Sequence, residues 1–117
     1  MENTMNHKPL IYICSPYAGD IEKNRFLAMM YSRVAVANGY VPIAPYLLFP
    51  QFLHDDSEEE RALGMECGLR LLDLCDEIWV MIGEGISEGM EKEIDYARKA
   101  CIPIKFFTLV VKEVHPE

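Results

Sequence analysis

Apolar positions along the chain follow two alternating rhythms. Four short apolar runs are bounded by Gly, Pro, Asp or Ser: "PLIYICSP" (Pro9–Pro16), "YVPIAP" (Tyr40–Pro45), "DEIWVMIG" (Asp76–Gly83) and "IPIKFFTLV" (Ile102–Val110). Runs of this length, rich in Ile, Val and aromatic residues, predict buried strands. Pro42 in the second run predicts a strand start or an edge, because proline has no N–H for the ladder. Between the runs, apolar residues return every three or four positions, which predicts helices over Ile21–Asn38, Ser57–Leu74 and Ser87–Ala100. The expected core stripes are Phe26, Met30, Val34 and Ala37 in the first helix, and Met65, Leu69 and Leu72 in the second. In the third they are Met90, Ile94, Ala97 and Cys101. Gly39 is placed to stop the first helix. Ser57 with Glu60 reads as a capping box, and Ser87 as an N-cap. The stretch "YLLFPQFLHDDSEEE" is apolar but irregular, interrupted by Pro50 and preceded by Pro45, and is expected to be a long ordered loop.

The order is therefore β-α-β-loop-α-β-α-β. Strands alternating with helices imply an α/β fold with a parallel sheet and right-handed crossovers. Ligands of such sheets bind outside the C-terminal strand ends. Two stretches leave strand ends and enter helices, "CSPYAGD" and "GEGISEG". A site between them is the expectation.

Composition narrows the function classes. The 117 residues are enough for one core, and no apolar stretch approaches the roughly 20 residues of a membrane span. Nor does the N-terminus show the pattern of a signal peptide. Eleven basic against nineteen acidic residues give a net charge of −8. That excess argues against a nucleic-acid polymer, whose phosphates need clustered Lys and Arg. A single nucleotide stays admissible, because backbone N–H groups at a helix start can hold it. Cys14, Cys67, Cys75 and Cys101 form no C-x-x-C pair and sit among apolar residues, so four buried thiols in a reducing cytoplasm are expected. With His7, His54 and His115 scattered, no metal site is expected.

In "GEGISEGMEKEIDYA", Glu93 flanks the buried stripe, whereas Glu91, Lys92 and Asp95 point elsewhere. Gly89 costs roughly 0.5–1 kcal/mol relative to Ala inside a helix, which makes sense where a ligand approaches the backbone. From spacing alone, Glu93 divides evenly between a boundary residue and a site residue. Ser15 precedes a turn whose N–H groups could face a phosphate or sugar. Tyr12 lies in the strand before it, and Asn24 and Arg25 follow on the next helix. The acidic run His54–Arg61 reads as a solvated helix start that complements the macrodipole, not as a metal site.

"IYICSPYAGD", "APYLLFPQFL" and "CDEIWVMIGEGISEGMEKEIDYARKACIPI", in that order, resemble a family of small uncharacterised bacterial and phage domains, from about Ile11 to Phe107. That family is similar to the nucleoside 2-deoxyribosyltransferases and the deoxyribonucleoside 5′-monophosphate N-glycosidases. The resemblance implies a small doubly wound, flavodoxin- or Rossmann-like parallel sheet of four or five strands flanked by helices. The whole chain would be one such domain, with residues 1–8 and 111–117 frayed.

It further implies cleavage or transfer at the N-glycosidic bond of a nucleoside or nucleotide, without cofactor or metal. Glu93 takes the place of the family's nucleophile and Ser87 that of a phosphate-holding serine. Tyr12 would orient Glu93, while Ser15, Pro16, Tyr17, Gly19, Asn24, Ser87, Gly89 and Met90 would hold the substrate. Two positions depart from the pattern. Asp95 stands where the enzymes usually carry Gly. Gly68 falls where they carry an Asp that assists the leaving base, and Glu66 is the nearest carboxylate, one register shift away. A binding module that senses a nucleotide without turning it over is the alternative that accommodates Gly68. The apolar "PYLLFPQFL" and its neighbouring helices are expected to pack on a second subunit, giving a homodimer or higher homo-oligomer.

Overall fold

A computed structural model describes residues 7–16, 20–54, 56–83 and 85–108. The expected fraying of residues 1–6 and 111–117 lies outside these. Strand β1 (Leu10–Cys14) is followed by α1 (Ile21–Ala37), β2 (Val41–Ile43) and the short α2 (Pro45–Leu48) with a 3₁₀ turn at Phe49–Gln51. Then come α3 (Glu58–Leu72), β3 (Glu77–Ile82), α4 (Glu88–Lys99) and β4 (Ile104–Thr108). The four strands form one parallel sheet in the order β2-β1-β3-β4, flanked by four helices. β2, which holds Pro42, is an edge strand, where a missing N–H is tolerated.

The two-residue period of the strands sorts the core into two layers. Ile11 and Ile13 of β1 join Trp79 and Met81 of β3 and Tyr31 and Ala35 of α1. Tyr12 and Cys14, on the opposite face, join Ile78, Val80, Leu72, Met90, Ile94 and Ala97. Both faces of the sheet are thus covered, which is why β1 and β3 are nearly continuous apolar runs. Trp79 packs between Phe107, a tilted ring with its centroid 4.8 Å away, and Tyr40, edge-on at 5.5 Å.

Four expectations need correction. The stretch after β2 is not a loop: Pro45 starts α2 as an N1 proline and Pro50 sits in the 3₁₀ turn, positions where proline's fixed φ favours a helical start. In α1 the buried stripe is Asn24, Ala28, Tyr31 and Ala35. Two alanines let the helix approach the sheet closely, and the larger Phe26, Met30 and Val34 are turned outward, with Phe26 59% exposed. Cys101 does not continue the stripe of α4. It is exposed, with φ +60° just beyond the helix, where the chain turns back toward β4. Cys67 is exposed too, on the outer face of α3, so only Cys14 and Cys75 are buried thiols.

The predicted caps form. Ser57 Oγ accepts from Glu60 N at 3.3 Å and Ser87 Oγ from Met90 N at 3.3 Å. The reciprocal half of the capping box is absent. Glu60 Oε1 instead accepts from the backbone N–H of His54 at 2.6 Å, tying the 3₁₀ segment to α3. Gly39, at φ +87°, ends α1 as its sequence position predicts. Among the described residues no helix is long and apolar enough to cross a membrane.

Candidate active site

β1 lies between β2 and β3, so the chain reverses its direction of growth there. The C-terminal ends of β1 and β3 flank that switch point, the usual place for a ligand crevice. A cavity of about 330 Å³ opens at this end, within the range of small-molecule sites. Its floor is Tyr12, Ile13 and Ser15 from β1 and the residue after it, and one wall is Ser87–Met90 with Glu93 from α4. The lining is completed by Pro45, Tyr46, Phe49 and Leu53, by His54, Glu60 and Arg61 at the rim, and by Gly64, Met65 and the buried Gly68 of α3.

Glu93 is gripped from below. Because strand residues alternate in direction, Tyr12 and Cys14 emerge on the same face of β1. The Tyr12 hydroxyl donates to Glu93 Oε2, and the Cys14 thiol donates to Oε1 at 3.2 Å. Each carboxylate oxygen therefore has one donor. Burial raises the Glu93 pKa, and the two hydrogen bonds only partly offset that rise. Tyr12 and Cys14 are themselves raised well above their usual values, first by burial and then by the nearby Glu93 charge. Both therefore keep their protons and stay donors.

Gly68 stands directly over this cluster. A Cβ added there would lie 2.9 Å from the Tyr12 hydroxyl oxygen and 3.9 Å from Glu93 Oε2. Only a residue without a side chain fits beneath α3 with the phenol in place. Gly89 is different: a Cβ there would meet only Met65 Cε, at the ordinary contact distance of 3.5 Å.

Of the substrate-holding residues expected from sequence, Ser15, Ser87, Gly89 and Met90 line the cavity with Tyr12 and Glu93. Ser15 is 7% exposed and its Oγ has no hydrogen-bond partner among the described residues, an uncommon state for a buried hydroxyl and one a ligand would relieve. Asn24 is buried in the contact face of α1, and neither it nor Pro16 lines the cavity. Tyr17 and Gly19 lie outside the described residues. Glu66 is exposed on α3 and does not line the cavity, so the register shift that would bring it in does not occur. The helical period sends position 66 outward where position 68 faces in.

Several residues of the site were missed by reading the sequence. Cys14 does not line the cavity but holds Glu93 from beneath it, and its spacing of two from Tyr12 puts it on the same face of β1. His54, Glu60 and Arg61, expected as a solvated helix start, line the cavity at its rim, because Glu60 bonds back to the backbone of His54, beyond the 3₁₀ segment. Nothing in the local pattern announced that Pro45–Leu53 folds over the strand ends. Among the described residues no cluster of His, Cys, Asp and Glu could hold a metal ion.

A family model described as "Domain of unknown function (DUF7768)" matches residues 9–107. No curated protein matches the chain. Among solved structures, it is similar to a 2-deoxyribosyltransferase from the psychrotolerant bacterium Bacillus psychrosaccharolyticus, described as a biocatalyst for the synthesis of nucleosides. The TM-score is 0.70 at 17% identity, over 91% of this chain and 77% of that one. A likeness at this identity establishes the shared fold.

Proposed function

The chain belongs to the DUF7768 family, and we propose that this member cleaves or transfers the N-glycosidic bond of a nucleoside or deoxyribonucleoside, or of its 5′-monophosphate. The observation that carries the reading is the doubly held Glu93, facing a cavity of nucleoside size at the strand ends. Glu93, ionised, attacks the anomeric carbon as the base departs, forming a glycosyl ester. Water or a second base then opens the ester with net retention. Tyr12 and Cys14 fix the plane of the carboxylate and favour its charged form. The partnerless Ser15 hydroxyl and the start of α4 at Ser87 and Gly89 hold the sugar and, where present, its phosphate.

Incubation with deoxynucleosides and their monophosphates, with free base as readout, tests this. Base release that Glu93→Ala abolishes supports it. Base release unchanged in Glu93→Gln sinks the role given to Glu93.

A second reading is a nucleotide-sensing module without turnover. Gly68 favours it, because no carboxylate stands at that position to protonate a departing base. Micromolar binding that survives Glu93→Ala, with no base release, would select it.

The apolar Phe26, Met29 and Met30 of α1 and Leu48 and Phe52 of the α2 segment are all exposed. A second copy of the chain packed on these residues is part of the same proposal.

A further inference from the structure

Gly68 and the charge of the cavity wall bear on which glycosides the site would open, an inference that rests on the glycosidic reading above. A neutral purine or pyrimidine leaves poorly as an anion. Protonation of the leaving group by a placed acid contributes about 10²–10⁴-fold. Position 68 cannot supply that acid without displacing the Tyr12 phenol, since even a Cβ would stand 2.9 Å from it. The protons nearest the nucleophile, on Tyr12 and Cys14, are both committed to its carboxylate oxygens. Of the other lining carboxylates, Glu60, at the rim, accepts from the His54 N–H, and Glu88 is exposed in the first turn of α4, where the macrodipole favours its charged form.

The same wall is suited to a positive ligand. Among the described residues lining the cavity, three carboxylates, Glu60, Glu88 and Glu93, face one guanidinium, Arg61. Tyr46 and Phe49 add aromatic rings to the side formed by the α2 segment. Carboxylates and ring faces both attract cations.

We propose that the substrate class is an N-glycoside whose leaving ring nitrogen already carries the positive charge, such as an N-glycosyl pyridinium. A Glu93 oxygen forms the bond to C1′ while the C1′–N bond breaks. The bonding pair goes to the ring nitrogen, which leaves neutral, and no proton moves in this step. Water then attacks C1′ of the ester, its proton passes to solvent, and the Glu93 carboxylate is restored.

The test compares nicotinamide, adenine and hypoxanthine as leaving groups, each offered as riboside, 2′-deoxyriboside and the 5′-monophosphate of each. Free base is measured with uncatalysed release subtracted. The expected result is a kcat/KM at least about 10²-fold higher for the pyridinium glycosides, lost in Glu93→Gln, with no decline on the alkaline side of the pH profile. Adenine or hypoxanthine released as fast as nicotinamide, and still dependent on Glu93, overturns the cationic class but leaves the glycosidic function standing. An alkaline decline that His54→Gln removes would assign an acid to His54 and also overturn it. No base from any donor overturns both.

Discussion

The Cys14 thiol donates to Glu93 Oε1 at 3.2 Å, two residues along β1 from the phenol that donates to Oε2. One strand therefore holds both oxygens of a carboxylate delivered by a helix 79 positions later in the chain. Neither donor can be lost without freeing one edge of the group.

Removing a donor should weaken the charged form of Glu93. Hydrogen bonds to charged groups are worth about 1.5–3 kcal/mol, so Tyr12→Phe is expected to lower kcat about 10- to 100-fold. Cys14→Ala should act in the same direction and less strongly, since a thiol is a weak donor, and Cys14→Ser should restore part of the loss. Carbon-13 NMR of labelled Glu93 in the free protein checks this without turnover. Its midpoint should move up in Tyr12→Phe and Cys14→Ala. An unmoved midpoint in both variants would refute the grip.

The raised Glu93 pKa carries a sign. A carboxyl whose folded pKa lies above its unfolded value adds stability below the unfolded pKa, and that contribution is lost as pH rises through the folded one. Activity runs the other way, because the nucleophile must be ionised. The acid limb of kcat/KM should therefore sit above the ordinary carboxylate range, and a limb inside that range would contradict the burial of Glu93.

Two glycines should separate packing from binding. Gly68→Ala drives a methyl against a phenol that Glu93 and the core hold in place. A loss of about 1–3 kcal/mol in denaturant unfolding is expected, together with loss of activity. Gly89→Ala meets no such obstacle and should gain up to about 1 kcal/mol of helix stability. It should nonetheless bind nucleotide more weakly if the ligand approaches that turn, a split that calorimetry would register.

Thiol titration tests the cysteine assignments. Native protein should react rapidly with a disulfide reagent at two thiols, the exposed Cys67 and Cys101. Cys14 is buried against a carboxylate and Cys75 is pushed up to about 11, chiefly by burial, so both should react only after unfolding. Four rapidly reacting thiols would contradict the described core.

Light scattering at micromolar concentration tests the second subunit. A dimer or larger species is expected, and Phe26→Glu with Phe52→Glu should shift it toward monomer. A wild-type monomer would remove the assembly from the proposal.

Much of this was decided by local pattern. The unbroken apolar runs and their alternation with helical periods determined a parallel α/β sheet, because a strand covered on both faces has no polar side to display. Ser57 and Ser87 marked two helix starts through the chemistry of their hydroxyls alone. The same period of two that sorts the core also put Tyr12 and Cys14 on one face.

What periodicity could not determine was which of two apolar stripes α1 would bury. Phe26, Met30 and Val34 were the more hydrophobic, but the sheet accepts the closer approach that Ala28 and Ala35 allow. Local pattern also left Glu93 between solvent and site. Only the packing of α4 on β3 and β4 turned it inward toward Tyr12 and Cys14, and only the fold of Pro45–Leu53 and α3 closed a cavity over it. Those contacts join residues far apart in the chain, and no local signal encodes the distance between them. Gly68 shows the limit well: the resemblance implied a carboxylate at that position, whereas the tertiary structure leaves no room there even for a Cβ, which would stand 2.9 Å from the Tyr12 hydroxyl.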